Sequence, residues 1–400
     1  MLLTMKEQRK IEVIEAVMDR RVTVVEGGQV LDRSVRSVFR MLNRLREKGL
    51  RGLIHGNRGR QSPRRVSEKV RQRVVALARG EYAGINDTHL REILQREEGI
   101  VIGRETLRGF LRAAKVPPKQ KRRPPKYRSR RERKEAFGMM LQIDGSPHDW
   151  LEGRGPWLTL VGGIDDATGY AWAHFENSET TWAYFHLMEG ICASHGLPVS
   201  LYADRHGIFH VLKEPTIIEQ LNNTRPLTQF GRAMGELGIR VIKAWSPQAK
   251  GRIERLWRTL QDRLVVELRL AGARTKEEAN EVLKKYLPGF NRRFAVTPRK
   301  AGSFFRKPPS LSKLDRTLCL KETRTVNKDH TVSFEGLVLQ IPPSSRWRSI
   351  AGQKVQVLQL KDNRVEIIYK NMTVARFSPE AISRLINQNK PERSQLKNAA

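Results

Sequence analysis

The distribution of charge along the 400 residues constrains the fold of this chain more than any single motif does. Lys and Arg number 75 against 42 Asp and Glu, which gives a net charge of +33. By segment, the balance is 36 − 16 = +20 for residues 1–140, 13 − 15 = −2 for 141–270 and 26 − 11 = +15 for 271–400. This length allows two or three domains, each with its own core. The sequence therefore predicts a near-neutral central domain between two basic flanks.

The excess of positive charge implies an anionic partner, because self-repulsion destabilises a compact monomer unless such a partner shares its surface. Double-stranded DNA is the leading candidate. There is no run of eighteen apolar residues, and "MLLTMKEQRK" is too short and too quickly charged for a signal peptide. We therefore expect a cytoplasmic, nucleoid-associated protein with no membrane partner. Cys192 and Cys319 lie far apart without neighbouring ligand-type residues, which argues against a zinc site and a disulfide framework.

The first 115 residues show apolar side chains at helical spacing. The stretches "KIEVIEAVMDRR" and "SVRSVFRMLNRLREKG", the latter behind a Ser34 cap, predict a helix-turn-helix domain over residues 1–54. The fit is imperfect, because Gly27 and Gly28 fall where its second helix should run and Asp32 stands where the turn would favour glycine. "SEKVRQRVVALA", "NDTHLREILQREEG" and "GRETLRGFLRAAKV" predict a second helix-turn-helix domain over 66–115. A solvated basic bundle is the alternative interpretation.

Two basic segments separate these domains and lead to the rest of the chain. They are a connector over 55–65, "HGNRGRQSPRR", and a linker over 116–138. Residues 115–134 hold eleven basic residues, one acid and four prolines, so they cannot form a core and are suited to lying along phosphates. A nuclear-localisation run is the alternative. The residues predicted to contact DNA up to this point are Arg33, Arg36, Arg40, Arg58, Arg60, Arg64, Arg65, Arg104, Arg108, Arg112, Lys121, Arg122, Arg123 and Lys126.

From residue 139 the apolar period changes to two. "MMLQIDG", "WLTLVGGIDDATG" and "YAWAHFE" predict three strands, with Asp165 and Asp166 in a hairpin turn. Helices and strands then alternate, which gives the order βββαβαβα within a central α/β domain over 139–300. A strand–helix–strand crossover makes parallel neighbours, so the first strand can pair with "VSLYAD".

After a further helix in "TKEEANEVLKKYLPGFNRRF", the sequence becomes strand-like again. Four or five short strands separated by turn residues predict a small β-barrel over 320–378. Residues 379–400 are expected to be a disordered tail. The predicted fold class is therefore multi-domain: all-α helix-turn-helix domains, a central α/β domain and a C-terminal small β-barrel.

Three acids are notable for their positions. Asp144 lies in the middle of the apolar first strand, Asp204 ends "LYAD", and Glu254 lies at the edge of the helix "AKGRIERLWRTLQDRLVVEL". Each has an ordinary explanation, as a turn cap, a loop start or a helical ion pair with Lys250 or Arg258. However, two Asp on adjacent strands repel one another unless a cation lies between them. Residues 141–200 also contain eight acids against one basic residue, which favours a divalent-cation site.

The segments "LQIDGSPHDW", "LYADRHGIF" and "SPQAKGRIERLWRTLQDRL" resemble the three signature blocks of bacterial insertion-sequence transposases of the DDE, retroviral-integrase type, with the closest likeness to the ISNCY group. The resemblance covers nearly the whole chain. It implies a ribonuclease H-like core in which Asp144, Asp204 and Glu254 hold two Mg2+ ions, with Mn2+ as a substitute. It further implies cleavage at the element ends and strand transfer by the freed 3′-OH. Lys250 and Arg258 are then candidates for holding DNA phosphate.

One departure from the family pattern concerns spacing. Residues 205–253, forty-nine in number, separate Asp204 from Glu254, where the shortest family members have thirty-five. The extra length, residues 205–226, is interpreted as an inserted loop. Strand transfer joins two DNA ends, so a dimer or larger homo-oligomer on DNA is expected.

Two rival functions remain to be separated from a transposase. A DNA-binding regulator with an inactive nuclease-like domain is possible in principle, although all three acids are present. A tyrosine recombinase would need a nucleophilic tyrosine within a basic cluster, and none of the seven tyrosines has a convincing one.

Overall fold

The computed structural model describes residues 3–58, 65–120, 124, 131–211, 217, 226–244, 250–345 and 349–388. The chain divides into two compact units, residues 1–83 with 91–117, and residues 84–90 with 118–400. In the described part of the chain, no helix combines the length and the hydropathy needed to cross a membrane.

The first unit is helical, as predicted. Its helices are α1 (Met5–Met18), α2 (Val24–Leu31), α3 (Val35–Lys48), a 3-10 turn (Gly49–Leu53), α4 (Glu68–Arg79), α5 (Asp87–Glu97, whose first residues belong to the second unit) and α6 (Arg104–Ala113). One core joins α1 to α3 through Ile14, Val38 and Leu42. The spacing of Val35, Val38, Phe39, Leu42 and Leu45 predicts one apolar stripe on α3; this was wrong for Val35 and Phe39, which are 41% and 53% exposed.

The misfit noted at the glycines has a steric cause. A Cβ atom on Gly27 would lie 2.6 Å from Val17 Cγ2, and one on Gly28 would lie 2.8 Å from the carbonyl oxygen of Arg33. Helix α2 therefore runs through both positions, because only glycine allows such close approach. Asp32 takes the left-handed conformation that ends α2, which aspartate tolerates better than most residues.

The second unit is built on a five-stranded sheet. Its strands are β1 (Leu141–His148), β2 (Leu158–Asp165), β3 (Ala171–Glu176), β4 (Ser200–Ala203) and β5 (Arg240–Lys243), in the spatial order β3-β2-β1-β4-β5. Strands β1 to β3 are antiparallel neighbours, whereas β4 runs parallel to both β1 and β5. The predicted strands, and the predicted pairing of β1 with "VSLYAD", are confirmed.

Helices cover both faces of this sheet. They are α7 (Thr181–Ser194), α8 (Gln229–Glu236), α9 (Gly251–Leu270) and α10 (Lys276–Phe294). One core contains Tyr184 and Phe230 of α7 and α8, and the other contains Leu260 of α9 and Phe290 of α10. Because both faces are covered, every residue of β2 is buried.

The C-terminal part of the second unit is antiparallel. It contains α11 (Leu311–Thr317), β6 (Leu320–Thr325), β7 (Thr331–Phe334), β8 (Leu337–Gln340), β9 (Lys354–Gln359), β10 (Val365–Tyr369), β11 (Met372–Phe377) and α12 (Pro379–Gln388). Four strands form a sheet in the order β11-β10-β9-β6, and β7 pairs with β8 as a hairpin. The predicted strands are confirmed. Among the described residues β6 and β11 lie at opposite edges of that sheet, so closure into a barrel remains a prediction.

The disordered tail expected from residue 379 was wrong over Pro379–Gln388. These residues form α12, because Ile382 is buried in the same core as the strands and Leu385 packs against it. Residues 389–400 lie outside the described residues.

Candidate active site

The sheet brings two of the three predicted acids to adjacent positions. Leu141 pairs with Leu201 and Gln142 with Tyr202 across parallel β1 and β4. Asp144 and Asp204 each stand two residues beyond that last pair, Asp204 directly after the end of β4. Parallel strands carry matched positions side by side. The two carboxylates therefore reach the same place from neighbouring strands.

Lys250 lies between these two carboxylates. Its Nζ is 2.8 Å from Asp144 Oδ1 and 3.3 Å from Asp204 Oδ2, and the residue is buried at the start of α9. Lys250 was predicted to hold DNA phosphate; in the structure its ammonium pairs with the two aspartates, and contact with DNA stays a prediction. The reason is electrostatic, because two neighbouring carboxylates attract the nearest available cation. One positive charge is thus shared by both acids.

Trp257 supplies the second donor to Asp144. Its indole Nε1 donates to Asp144 Oδ2 over 3.2 Å. In the sequence, Trp257 is one of the apolar residues at helical spacing, with Ile253, Leu256 and Leu260, which indicates core packing only; the missed signal was its spacing from Lys250 and Glu254. Lys250, Glu254 and Trp257 stand at i, i+4 and i+7, which is one face of a helix.

Glu254 stands apart from the aspartate pair. It is exposed in the first turn of α9 and makes no hydrogen bond or ion pair with the described residues, so neither alternative ion pair, with Lys250 or with Arg258, is formed. Its position nevertheless favours a carboxylate, since the N-terminus of a helix carries partial positive charge. Among the described residues, Asp144, Asp204 and Glu254 do not bring their ligand atoms within 4.8 Å of one another.

A fourth acid lies beside this site and was not predicted. A Cβ atom on Gly145, the residue after Asp144, would meet the carboxylate carbon of Glu179 at 2.8 Å. Fully buried Tyr184 donates its hydroxyl to Glu179 Oε1 over 2.5 Å. Burial, with the charges of Glu179, Asp144 and Asp204, raises the pKa of Tyr184 well above its usual range. The hydroxyl therefore stays protonated and holds Glu179; the sequence had assigned Tyr184 to core packing.

The hairpin acids have two distinct roles. Asp165 accepts from the backbone N–H and the hydroxyl of Thr168, each over 2.8 Å, which confirms its predicted place in the turn. Asp166 does more, because its fully buried carboxylate accepts from Gln142 Nε2 over 3.0 Å and from Arg252 over 2.8 Å.

Other contacts of Asp166 extend this network to the basic linker. The backbone N–H of Lys134 donates to it over 2.8 Å, and Arg131 pairs with it. In addition, the carbonyl oxygen of the Gln142 side chain accepts from the backbone N–H of Ile253 over 3.2 Å. The start of α9 is therefore fixed to β1 by side chains that play no part in the aspartate pair.

The other predicted DNA contacts are distributed over both units. Exposed side chains are Arg33, Arg36, Arg40, Arg65, Arg104, Arg108 and Arg258. Arg58 pairs with Glu7, and Arg112 is partly buried. Outside the described residues lie Arg60, Arg64, Lys121, Arg122, Arg123, Lys126 and much of the inserted loop 205–226.

Comparison with known proteins identifies the family. No family model matches the chain. It is 37% identical over 374 residues to y4bF of Sinorhizobium fredii, which carries the name of a transposase, across 92% of this chain and 80% of that protein. It is 32% identical over 372 residues to the transposase for insertion sequence IS1202 of Streptococcus pneumoniae, across 83% and 77% respectively. The chain therefore belongs to the insertion-sequence transposases. Within that family it is similar to y4bF and to the IS1202 protein.

Two solved structures resemble parts of the fold. The catalytic core domain of BIV integrase aligns with a TM-score of 0.28 and 18% identity, over 41% of this chain and 87% of that one. A chain of the simian T-cell lymphotropic virus intasome aligns with a TM-score of 0.33 and 15% identity, over 76% and 99%. Nothing about activity follows from similarities of this size.

Proposed function

We propose that this transposase binds the ends of an insertion sequence of the ISNCY group and catalyses Mg2+-dependent phosphodiester cleavage and 3′-OH strand transfer. The observation that carries the proposal is the face of α9 that meets Asp144. Lys250 and Trp257 both donate to that carboxylate, and Glu254 lies between them on the same helical face. This arrangement supports the assignment of all three acids to one surface of a ribonuclease H-like core.

The donor set fits a hard divalent cation. Asp144 and Asp204 already share one positive charge, the Lys250 ammonium, so the site tolerates a cation between the strands. Carboxylate oxygens are what Mg2+ prefers, and Mn2+ accepts them too. Asp144, Asp204 and Glu254 would hold two ions. When bound, such ions lower the pKa of an attacking water and stabilise charge on the leaving oxygen.

The surrounding side chains position these acids. The Trp257 N–H fixes one oxygen of Asp144, and the Asp166 network fixes the start of α9, on which Glu254 stands. Lys250 keeps Asp144 and Asp204 close together despite their repulsion. If bound divalent ions neutralised Asp144 and Asp204, the Lys250 ammonium would be free to contact a DNA phosphate, as the sequence predicts.

DNA binding is assigned first to the exposed arginines of the first unit. Arg33 directly precedes α3, Arg36 and Arg40 are exposed on one face of it, and α3 follows α2 across the turn at Asp32, as the recognition helix of a helix-turn-helix would. Helices of this kind enter the major groove through such a face. Strand transfer then requires two ends in one complex, so a dimer or larger assembly on DNA is part of the proposal.

The test uses the full chain and labelled duplexes that tile the DNA flanking its gene on both sides. With Mg2+ or Mn2+ we expect nicked ends and joined products, and with excess chelator neither. Affinity should fall about 10³-fold or more between about 50 and 200 mM salt if six or more phosphates are contacted.

Three variants separate the rival functions. Asp144→Asn and Asp204→Asn should bind ends and produce no cleavage, while Glu281→Gln, an exposed acid on α10 without a partner among the described residues, should react normally. If the protein were a regulator with an inactive nuclease-like domain, the wild type itself would bind the DNA ends and would not cleave them. Cleavage that survives in both aspartate variants, with a protein-linked DNA intermediate, would instead support a tyrosine recombinase.

A further inference from the structure

We propose that His174, Glu176 and His186 form a second metal site, for a transition-metal ion such as Zn2+, at the edge of the central sheet. Among the described residues this is the one group of three or more His, Cys, Asp or Glu residues whose ligand atoms all lie within 4.8 Å of one another. His186 Nδ1 is 3.0 Å from Glu176 Oε1, and His174 Nε2 is 3.5 Å from the same oxygen. The site is separate from the aspartate pair.

The fold supplies the three ligands from two adjacent elements. His174 and Glu176 are two positions apart on β3, so both side chains leave the same face of this edge strand. Residues 177–180 then lead directly into α7, and His186 lies on its second turn. The three ligands therefore come from thirteen consecutive residues that the strand and helix hold in place.

One nitrogen of this cluster has only a long contact with its neighbours. His174 Nε2 is buried, lies 3.5 Å from Glu176 Oε1 and makes no hydrogen bond of normal geometry with the described residues. Buried polar atoms of this kind are uncommon, because losing water without a replacement costs free energy. A metal ion bound at Nε2 would replace the missing partner.

Glu176 is also oriented for such a role. Lys276 Nζ, at the start of α10, lies 3.4 Å from Glu176 Oε2 and leaves Oε1 facing the histidines. Partners that hold a ligand from behind in this way are usual at metal sites.

The donor atoms select the metal. Two imidazoles and one carboxylate suit Zn2+, which takes four ligands and would complete the set with water, whereas Mg2+ prefers oxygen ligands only. Since the site contains no cysteine, the positions of Cys192 and Cys319 could not have indicated it. The competing explanation is an ion-pair network, in which the histidines bond Glu176 as cations without any metal.

The experiment loads full-length, tag-free protein with ZnCl2, removes free metal by desalting in millimolar Mg2+, and measures bound zinc by mass spectrometry. We expect one zinc per chain in the wild type and in the Asp144→Asn/Asp204→Asn variant, whose oxygen-ligand site is altered. His174→Gln and His186→Gln should each weaken zinc affinity at least about 10-fold. A loss of about that size is seen when only a residue that orients a metal ligand is removed, and these changes remove the ligands themselves.

The folding and melting of the two histidine variants give a second test of the zinc site. His186 is 43% exposed, so His186→Gln should fold and melt normally without zinc, even if His174→Gln does not. Zinc should raise the melting temperature of the wild type and fail to raise that of His186→Gln. The ion-pair explanation holds instead if the wild type retains no zinc, or if His186→Gln retains as much zinc as the wild type.

Discussion

Two acid–base clusters join the start of α9 to the sheet, and they differ in how fully their carboxylates are used. Asp166 is completely buried and takes donors from Gln142, Arg252, Arg131 and the Lys134 backbone. The Asp144–Asp204 pair is more open, with side chains 19% and 41% exposed.

The second cluster is also less saturated. Asp144 and Asp204 share a single ammonium, that of Lys250; Asp144 also accepts from the Trp257 indole N–H, and Asp204 from the backbone N–H of His206 over 2.9 Å, so two carboxylates have about as many donors as Asp166 has alone. A carboxylate whose lone pairs are all taken can only hold structure, whereas one with free, solvent-facing lone pairs can accept a cation or a substrate. The comparison therefore distinguishes Asp166, a carboxylate held by donors within the fold, from the more open Asp144–Asp204 pair, to which we propose to assign the chemistry.

The largest expected effect is at Glu254, which makes no hydrogen bond or ion pair with the described part of the chain. Glu254→Gln removes one negative charge from the proposed ion site, so cleavage and strand transfer should fall about 10³-fold or more, which corresponds to several kcal/mol of lost stabilisation. DNA binding should survive or tighten, because nearby cations lose an acid that offsets them. The measurement is a paired gel-shift and strand-transfer assay.

Glu281→Gln is the matched control for this change. It lies on α10, is exposed and has no partner among the described residues, as is true of Glu254 on α9. Its activity should equal that of the wild type. If Glu254→Gln joined DNA at the same rate as this control, Glu254 would be a surface residue and the site would lack its third acid.

Asp166 should show the opposite pattern, with stability lost rather than chemistry. Asp166→Asn leaves two arginines without their common carboxylate, and breaking a buried pair of this kind costs about 3–5 kcal/mol of unfolding free energy. Urea unfolding of the full chain measures it. Asp204→Asn, on the more exposed cluster, should change the unfolding free energy much less, since one carboxylate still pairs with Lys250. Equal losses in both variants would remove the distinction between the clusters.

The sequence predicted the parts of the site that depend on the order of elements. The alternation of residues placed Asp144 on a strand, and the crossover rule placed Asp204 beside it; pairing of β1 with β4 confirms this reasoning. The residues that were missed depend on contacts between distant segments. Trp257 meets Asp144 across 113 positions, and Arg252 meets Asp166 across 86.

Such contacts depend on how α9 is rotated about its axis. The apolar pattern shows which side of the helix is buried, and it does not show which residue each side chain meets. An indole N–H that donates to a carboxylate therefore has the same sequence signature as one that packs in a core. The tail shows the same limit. Ile382 in a polar segment gave no reason to expect a helix until the strands it packs against were placed.

Trp257 tests the one hydrogen bond that Asp144 Oδ2 accepts from the described residues. Trp257→Phe keeps most of the apolar volume and removes the donor to Asp144 Oδ2, so we expect about a tenfold loss of cleavage rate, in line with a hydrogen bond to a charged group. Trp172→Phe is the control, because its indole donates to Ser194 and not to the acids. Equal activity of the two variants would mean that the Trp257 bond does not orient Asp144.

The smallest effect is expected at Tyr184, and it decides to which cluster Glu179 belongs. Tyr184→Phe deletes only the hydroxyl that donates to Glu179 Oε1, at a cost to stability of about 1 kcal/mol. If Glu179 is a structural acid like Asp166, the variant should lose that stability and cleave at the wild-type rate once folded. Glu179 lies beside Gly145, the residue after Asp144. If Glu179 acts together with Asp144, loss of the Tyr184 hydroxyl that holds it should alter DNA cleavage. We expect the second result: a rate lowered about threefold and a higher Mg2+ concentration for half-maximal cleavage, because a loosened carboxylate holds a cation less well.

A Mg2+ titration of cleavage, run beside urea unfolding of the same protein, measures both the Mg2+ requirement and the stability of Tyr184→Phe. An unchanged Mg2+ requirement with reduced stability would assign Glu179 to the structural network.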